Sequence, residues 1–153
     1  MTTTVSTLAL EPGFGAELGK GIGAIALYAV VGLVLMFIGF YAIDWTTPGK
    51  LSDLVRTGKP NAVLVTAAGL LSMAFIIVVA IFSSASDLTA GLITSLVYGL
   101  IGIIVQVIAV RALEWATRIE ISSIIESEKF SPATVVVAAV HLALGLVVAV
   151  AIS

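Results

Sequence analysis

Lysine, arginine, aspartate and glutamate are absent from four long stretches of the chain, residues 21–43, 62–85, 88–110 and 133–152. A helix rises about 1.5 Å per residue, so about 20 apolar residues cross about 30 Å of hydrocarbon. With 60% hydrophobic and 10% charged residues, the chain is too apolar for a surface that faces only water. The sequence therefore predicts an all-α membrane protein with four transmembrane helices.

An internal repeat relates the two halves of the chain. Residues 43–48 match residues 113–118, seventy positions later and without a gap, and the same offset relates further positions on both sides. A constant offset over such a distance indicates a duplication. We predict two tandem two-helix repeats, residues 19–85 and 86–153, preceded by a flexible N-terminal tail of residues 1–18.

The repeat and the basic residues together predict the orientation in the membrane. Each half contains two spans, so both halves enter the membrane in the same direction and the repeat is parallel. Of the seven basic residues, only Lys20 lies on one side of the predicted membrane. The positive-inside rule makes the other side cytoplasmic, with both larger loops inside and both termini outside. The six residues on that side are Lys50, Arg56, Lys59, Arg111, Arg118 and Lys129.

Both cytoplasmic loops carry a short amphipathic pattern. Apolar residues recur at positions i, i+3 and i+4, which is typical of a helix that lies in the membrane interface. Each pattern is either a structural connector beneath the bundle or a docking surface for a protein partner. Trp45 and Trp115 precede the two patterns and are predicted to anchor at the level of the lipid headgroups. The patterned residues are Leu51, Leu54, Val55, Ile121, Ile124 and Ile125.

Gln106 and His141 are polar side chains inside predicted spans, where an unsatisfied polar group costs several kcal/mol. Helical rise places Gln106 about 13 Å and His141 about 12 Å below the cytoplasmic interface. We therefore predict a hydrogen bond between the amide and the imidazole. The alternative is a polar path for an ion or a substrate, with Ser72 and Tyr98 as further members.

Asp44 and Glu114 occupy equivalent positions at the cytoplasmic ends of the first and third spans. Each is either an interfacial charge, with Arg111 and Arg118 as partners of Glu114, or part of a ring of acids. Such a ring at a cytoplasmic mouth would attract cations or polyamines.

Small residues spaced by four predict close helix contacts, because hydrophobicity alone does not drive helices together in lipid. Their number in such short repeats favours a homo-oligomer. They occur in three series: Gly15, Gly19 and Gly23; Gly91, Ser95 and Gly99; Gly145, Ala149 and Ser153.

The sequence lacks the residues that several classes of function require. The chain has no cysteine and one histidine, so we predict no metal site and no cofactor. No glycine-rich phosphate loop lies between a strand and a helix, and no nucleophile stands at a useful spacing from a base. The net charge of −2 gives no support for nucleic-acid binding. We predict that the protein is not an enzyme.

The chain resembles the small bacterial membrane proteins of domain of unknown function 350, also called YjfL-like. The resemblance extends over nearly everything after the N-terminal tail. It is carried by residues 44–51, Asn61-Ala62, Gly69, Val105-Gln106 and Gly145. It implies four spans built from two tandem units, in the bacterial cytoplasmic (inner) membrane. Members of the family look like partners of polyamine-related synthases and of membrane-stress proteins, so the resemblance implies that the protein works bound to a partner.

Two functional hypotheses follow. The first is a non-enzymatic, oligomeric scaffold or membrane component of a larger assembly, related to membrane stress or to polyamines. The second is a small channel or transporter for cations or polyamines. A transporter needs the polar side chains to line one continuous hydrated path, whereas a scaffold needs them to be satisfied and buried.

Overall fold

The structure is a computed structural model that describes residues 13–46, 50–117 and 121–153. Six helices account for nearly all of these residues. Two six-residue helices, α2 and α5, alternate with four longer ones. In chain order the helices are α1 (Phe14–Thr46), α2 (Leu51–Arg56), α3 (Pro60–Phe82), α4 (Leu88–Thr117), α5 (Ile121–Glu126) and α6 (Ala133–Ile152).

The four long helices confirm the four predicted spans. Helices α1, α3, α4 and α6 have 33, 23, 30 and 20 residues, and each is apolar enough to cross a membrane. In hydrocarbon a helix satisfies its backbone polar groups internally, which is why uncharged stretches of this length become helices. Pro60 occupies the first turn of α3, where its missing N–H has no helical partner to lose.

The first helix begins earlier than the sequence predicts. The sequence predicts a flexible tail through residue 18, but α1 starts at Phe14, and residues 1–12 lie outside the described part of the chain. The carbonyl of Gly13 accepts hydrogen bonds from the N–H groups of Ala16 and Glu17 and so starts the helix. Glu17 also pairs with Lys20 at 3.2 Å across one turn, so these charges lie within the helix.

Helix α3 occupies the centre of the bundle, where it packs against α6, α4 and α1. It runs parallel to α6, because Asn61 bonds to Thr134 near the start of both helices and Ser72 faces Gly145 in the middle. The centre is apolar and closely packed. Its fully buried side chains include Leu35, Met73 and Ile76.

Helix α1 lies at the edge of the bundle. Only its second half, from about Tyr28 onward, contacts α3 and α4. In the first half a Cβ added at Gly15, Gly19 or Gly23 would meet nothing within 4 Å in the described chain. Among the described residues, this series of small residues therefore borders open space.

The two short helices close the end of the bundle that carries most basic residues, called the loop end below. Leu51 of α2 and Ile125 of α5 are fully buried and belong to the same apolar core as the long helices. Both helices begin at equivalent positions of the predicted repeat. The next helices do not, because residues 127–132 form a longer connection than residues 57–59. Residues 47–49 and 118–120, which include Pro48, lie outside the described chain.

Asn61 fastens the longer connection to α3. Its Oδ1 accepts hydrogen bonds from the N–H of Ser131 at 2.9 Å and from the hydroxyl of Thr134 at 2.8 Å. Its Nδ2 donates to the carbonyls of Lys129 at 2.8 Å and Ser127 at 3.3 Å. All of the hydrogen-bonding capacity of this fully buried amide is thereby used.

Asn61→Leu is expected to lower the stability of the bundle, because it removes all four hydrogen bonds of the buried amide, two donated to carbonyls and two accepted from an N–H and a hydroxyl. The expected loss is about 2–4 kcal/mol, measured as thermal or denaturant unfolding in detergent. Ser127→Ala is the matched control, since it removes only the exposed hydrogen bond from this hydroxyl to the Lys129 carbonyl and leaves the four bonds of Asn61 in place. Equal stability of the two variants would contradict the role assigned to Asn61.

Gly145→Ala is expected to destabilise the bundle, because the new Cβ would lie 2.9 Å from the Cα of Ser72, and backbone gives way less easily than a side-chain tip. Overpacking of this kind costs about 1–3 kcal/mol. Gly23→Ala is the control, because its Cβ enters open space. The unfolding temperature in detergent should fall only for Gly145→Ala; equal shifts in both variants would show that the α3–α6 contact tolerates the methyl group.

Candidate functional site

A buried polar cluster joins the three central helices. Gln106 of α4 donates from Nε2 to the hydroxyl of Ser72 on α3 at 2.8 Å, and to the backbone carbonyl of His141 on α6 at 3.1 Å. Exposed fractions are 2% for Gln106, 0% for Ser72 and 5% for His141. One amide group therefore links α3, α4 and α6 inside the span.

The bond between Gln106 and His141 differs from the predicted one. The sequence places both residues at one depth and the structure brings them together, but the amide binds the carbonyl of His141 and not its imidazole. The ring Nδ1 lies 3.0 Å from the carbonyl of Val137, one turn back on α6. Side-chain patterns do not reveal which backbone carbonyl has room for a second donor, so the sequence does not predict this geometry.

The orientation of the Gln106 amide follows from its partners. A carbonyl is only an acceptor, so the atom that faces the His141 carbonyl must be the NH₂ group. The other amide atom, Oε1, is buried and has no hydrogen-bond partner in the described chain. An amide oxygen left in this state costs about 1–3 kcal/mol. Within the described residues, this oxygen is therefore a buried acceptor of the cluster without a donor.

A cavity of about 30 Å³ lies between this cluster and the loop end. Gln106 and His141 line its inner part, and Thr46, Arg111 and Glu114 line it nearer to the loop end. A second cavity, of about 20 Å³, adjoins it and shares His141 and Glu114 among its lining residues. Gln106 and His141, the polar pair predicted from the sequence, thus line the same cavity as Glu114.

Glu114 and Arg111 form an ion pair one turn apart on α4. Arg111 Nη1 lies 2.6 Å from Glu114 Oε2. The side chain of Glu114 is 19% exposed and that of Arg111 is 44% exposed, so the acid is the more deeply placed partner. Arg118, the other predicted partner of Glu114, lies outside the described residues.

Asp44 has a different environment from Glu114. Its Oδ1 accepts a hydrogen bond from the backbone N–H of Ser52 at 2.8 Å, and its Oδ2 lies 3.4 Å from the Ser52 hydroxyl. It thereby attaches the start of α2 to the end of α1. Asp44 lines an open surface groove with Trp45 and Lys50, whereas Glu114 lines the inner cavity. Within one chain the two acids therefore face separate spaces.

The two tryptophans project outward at the ends of α1 and α4. Trp45 is 90% exposed and Trp115 is 86% exposed. Tyr98, a further candidate for a polar path, lies two turns from Gln106 toward the opposite end of α4 and is half-exposed. In the ranges that the structure describes, acidic and histidine side chains form no group of three that could hold a metal ion.

Sequence comparison decides the family. The model of the Domain of Unknown Function (DUF350) family matches residues 17–152. The chain belongs to this family. A UPF0719 transmembrane protein of Mycolicibacterium paratuberculosis is 38% identical over 135 residues, which cover 88% of this chain and 89% of the relative. UPF0719 transmembrane proteins of Mycobacterium bovis and Mycobacterium tuberculosis are each 34% identical over 134 residues, covering 87% of this chain and 88% of each relative.

Family membership and the four long apolar helices together make the chain a multi-pass membrane protein. The resemblance stated from residues 44–51 and the other motifs is confirmed by the family match. No solved structure shows a significant match to the chain.

Ser72→Ala is expected to lower the stability of the bundle by about 1 kcal/mol, a typical value for a hydrogen bond between membrane helices. In a Gln106→Leu background the same substitution should cost less, because the partner of the hydroxyl is already absent. Unfolding in detergent of the two single variants and the double variant measures this coupling. Strict additivity would show that the Ser72–Gln106 bond contributes no stability.

His141→Leu separates the contribution of the imidazole ring to stability from that of the His141 backbone carbonyl. It removes the imidazole but keeps the carbonyl that Gln106 binds, so it should destabilise the bundle less than Gln106→Leu does. A larger loss for His141→Leu would show that the ring carries most of the stability of the cluster.

Proposed function

We propose that this DUF350 protein is a non-enzymatic, oligomeric component of a larger assembly in the bacterial cytoplasmic membrane. The observation that carries the proposal is the closed interior beyond the polar cluster. Leu35, Ile76 and Ile103 are at most 3% exposed there. A Cβ on Gly102 would lie 2.9 Å from Ile152 Cδ1, so α4 and α6 are in close contact.

A closed interior supports a structural role because a transported species needs a continuous path. The cavity next to Gln106 ends against this apolar layer, and the cluster itself is held by hydrogen bonds between helices. The polar side chains are then chiefly a means of fixing α3, α4 and α6 to one another. The resemblance to companions of membrane-stress and polyamine-related proteins favours an assembly of one of those kinds.

The arrangement of the elements supports a parallel tandem repeat. In both halves a long helix is followed by a six-residue helix and then by a second span. The exposed Trp45 and Trp115, next to most of the basic residues, support an orientation with the loop end in the cytoplasm.

The exposed first half of α1 supports an oligomer. Leu18, Ile22 and Ile25 are 51%, 59% and 71% exposed, and the small residues of this segment border open space in the described part of the chain. Small residues spaced by four allow helices to approach closely in lipid. The two short helices at the loop end give the assembly a surface for a protein partner on the cytoplasmic side.

One observation favours the second function, a channel or transporter for cations or polyamines. Glu114 lines the same cavity as Gln106 and His141, and an acid at the mouth of a polar cavity attracts cations. Such a path would have to continue between chains, because the interior of one chain is closed in its described part.

Reconstitution into lipid vesicles tests both functions. The scaffold predicts a stable oligomer by native mass spectrometry from lipid, and a flux of potassium or spermidine no higher than in protein-free vesicles. A flux that Glu114→Gln abolishes would overturn the scaffold in favour of transport. Glu128→Gln is the matched control, since Glu128 is 89% exposed outside the cavity. A monomer in lipid would contradict the oligomer.

A further inference from the structure

We propose that the cavity between Gln106 and Glu114 binds water inside the membrane span. The bound water hydrates the Gln106 amide and the His141 imidazole and ends against the apolar layer beyond them. This proposal does not rest on the scaffold function. It rests on one buried atom that requires a donor, on the space beside it, and on the side chains around that space.

The buried atom is Oε1 of Gln106. Its orientation is set by the His141 carbonyl, which requires the NH₂ group on its own side. Side-chain donors that line the cavity are engaged elsewhere. The Thr46 hydroxyl donates to the carbonyls of Ala42 and Ile43, and Arg111 pairs with Glu114. The described residues therefore supply no donor to Oε1, and water in the adjoining cavity can supply it.

The space next to this atom has the size of water. A cavity must offer about 10–15 Å³ to hold one water molecule, and the two adjoining cavities offer about 30 and about 20 Å³. They are too small for a polyamine or for a metal ion with its hydration shell. Buried water also needs several polar partners, and here Gln106, Glu114 and His141 supply them.

His141 is placed to contribute an acceptor to this water. A carbonyl accepts only, so Nδ1 must carry the proton that points to Val137, and in the neutral ring this leaves Nε2 as an acceptor. His141 lines both cavities. A water donor between Gln106 Oε1 and the ring would satisfy both side chains.

The charged groups around the water are few, and they lie toward one side. Of the cavity-lining residues, Arg111, Glu114 and His141 are ionisable, the first two on α4 and the third on α6. Helices α1, α3 and α5 contribute only uncharged side chains, such as Ile43, Val65 and Ile121. Protons that reach His141 through this water therefore come by way of the loop end, where Arg111 and Glu114 lie.

The single histidine of the chain makes a direct test possible. With uniformly ¹³C,¹⁵N-labelled protein, water-edited solid-state NMR in lipid bilayers measures magnetisation transfer from water to the one histidine ring and to other side chains. We expect transfer to His141 as fast as transfer to the exposed connections, and much faster than transfer to Leu35 or Ile76, which are fully buried and do not line the cavity. Transfer no faster than to those two apolar residues would overturn the proposal.

Filling the cavity identifies the route. Val110 lines both cavities, so Val110→Phe should abolish fast transfer to the ring. Val97→Phe is the control, because Val97 is 44% exposed on the outer surface of the same helix. If Val110→Phe does not fold, Val110→Leu introduces a smaller filler. Fast transfer that persists in a folded, filled variant would show that water reaches His141 elsewhere, which also overturns the proposal.

Discussion

The structure depends on one contact, the close approach of α3 and α6 at Ser72 and Gly145. In lipid, the burial of apolar side chains between helices gains no hydrophobic free energy, so packing and hydrogen bonds between helices have to hold the bundle together. The contact between Ser72 and Gly145 contributes to both the packing and the hydrogen bonding. A carbonyl in a helix bonds to the N–H four residues later, so the His141 carbonyl bonds to Gly145. Since Gly145 has no side chain, this carbonyl remains open to a second donor, which is Gln106.

This dependence explains how far the sequence predicts the fold and the site. Uncharged length predicts the four spans, and helical rise places Gln106 and His141 at the same depth. Neither rule predicts Ser72 as the direct partner or the carbonyl as acceptor, because both depend on how closely two backbones approach. The start of α1 was placed too late for another reason. Glu17 and Lys20 interrupt the apolar pattern, although they pair with each other on the helix.

The predicted repeat shows that a sequence offset need not pair equivalent positions in the structure. The offset of seventy pairs His141 with Leu71, yet His141 is 5% exposed and Leu71 is 54% exposed. The connection before α6 is three residues longer than the one before α3. Three residues turn a helix by about 300°, so the register along the last span no longer compares equivalent faces. In the parallel packing of the two helices, Gly145 faces Ser72 instead.

The polar cluster contains one hydrogen-bonding atom more than is needed to link the helices. The NH₂ group of Gln106 already joins three helices by its bonds to Ser72 and His141. The oxygen of the same amide adds an acceptor that the described chain does not satisfy. A buried acceptor of this kind is stable only where a donor reaches it, and the adjoining space opens toward Glu114 rather than toward the apolar layer. The amide therefore fixes the helices with one atom and, with the other, requires water inside a bundle that is otherwise closed.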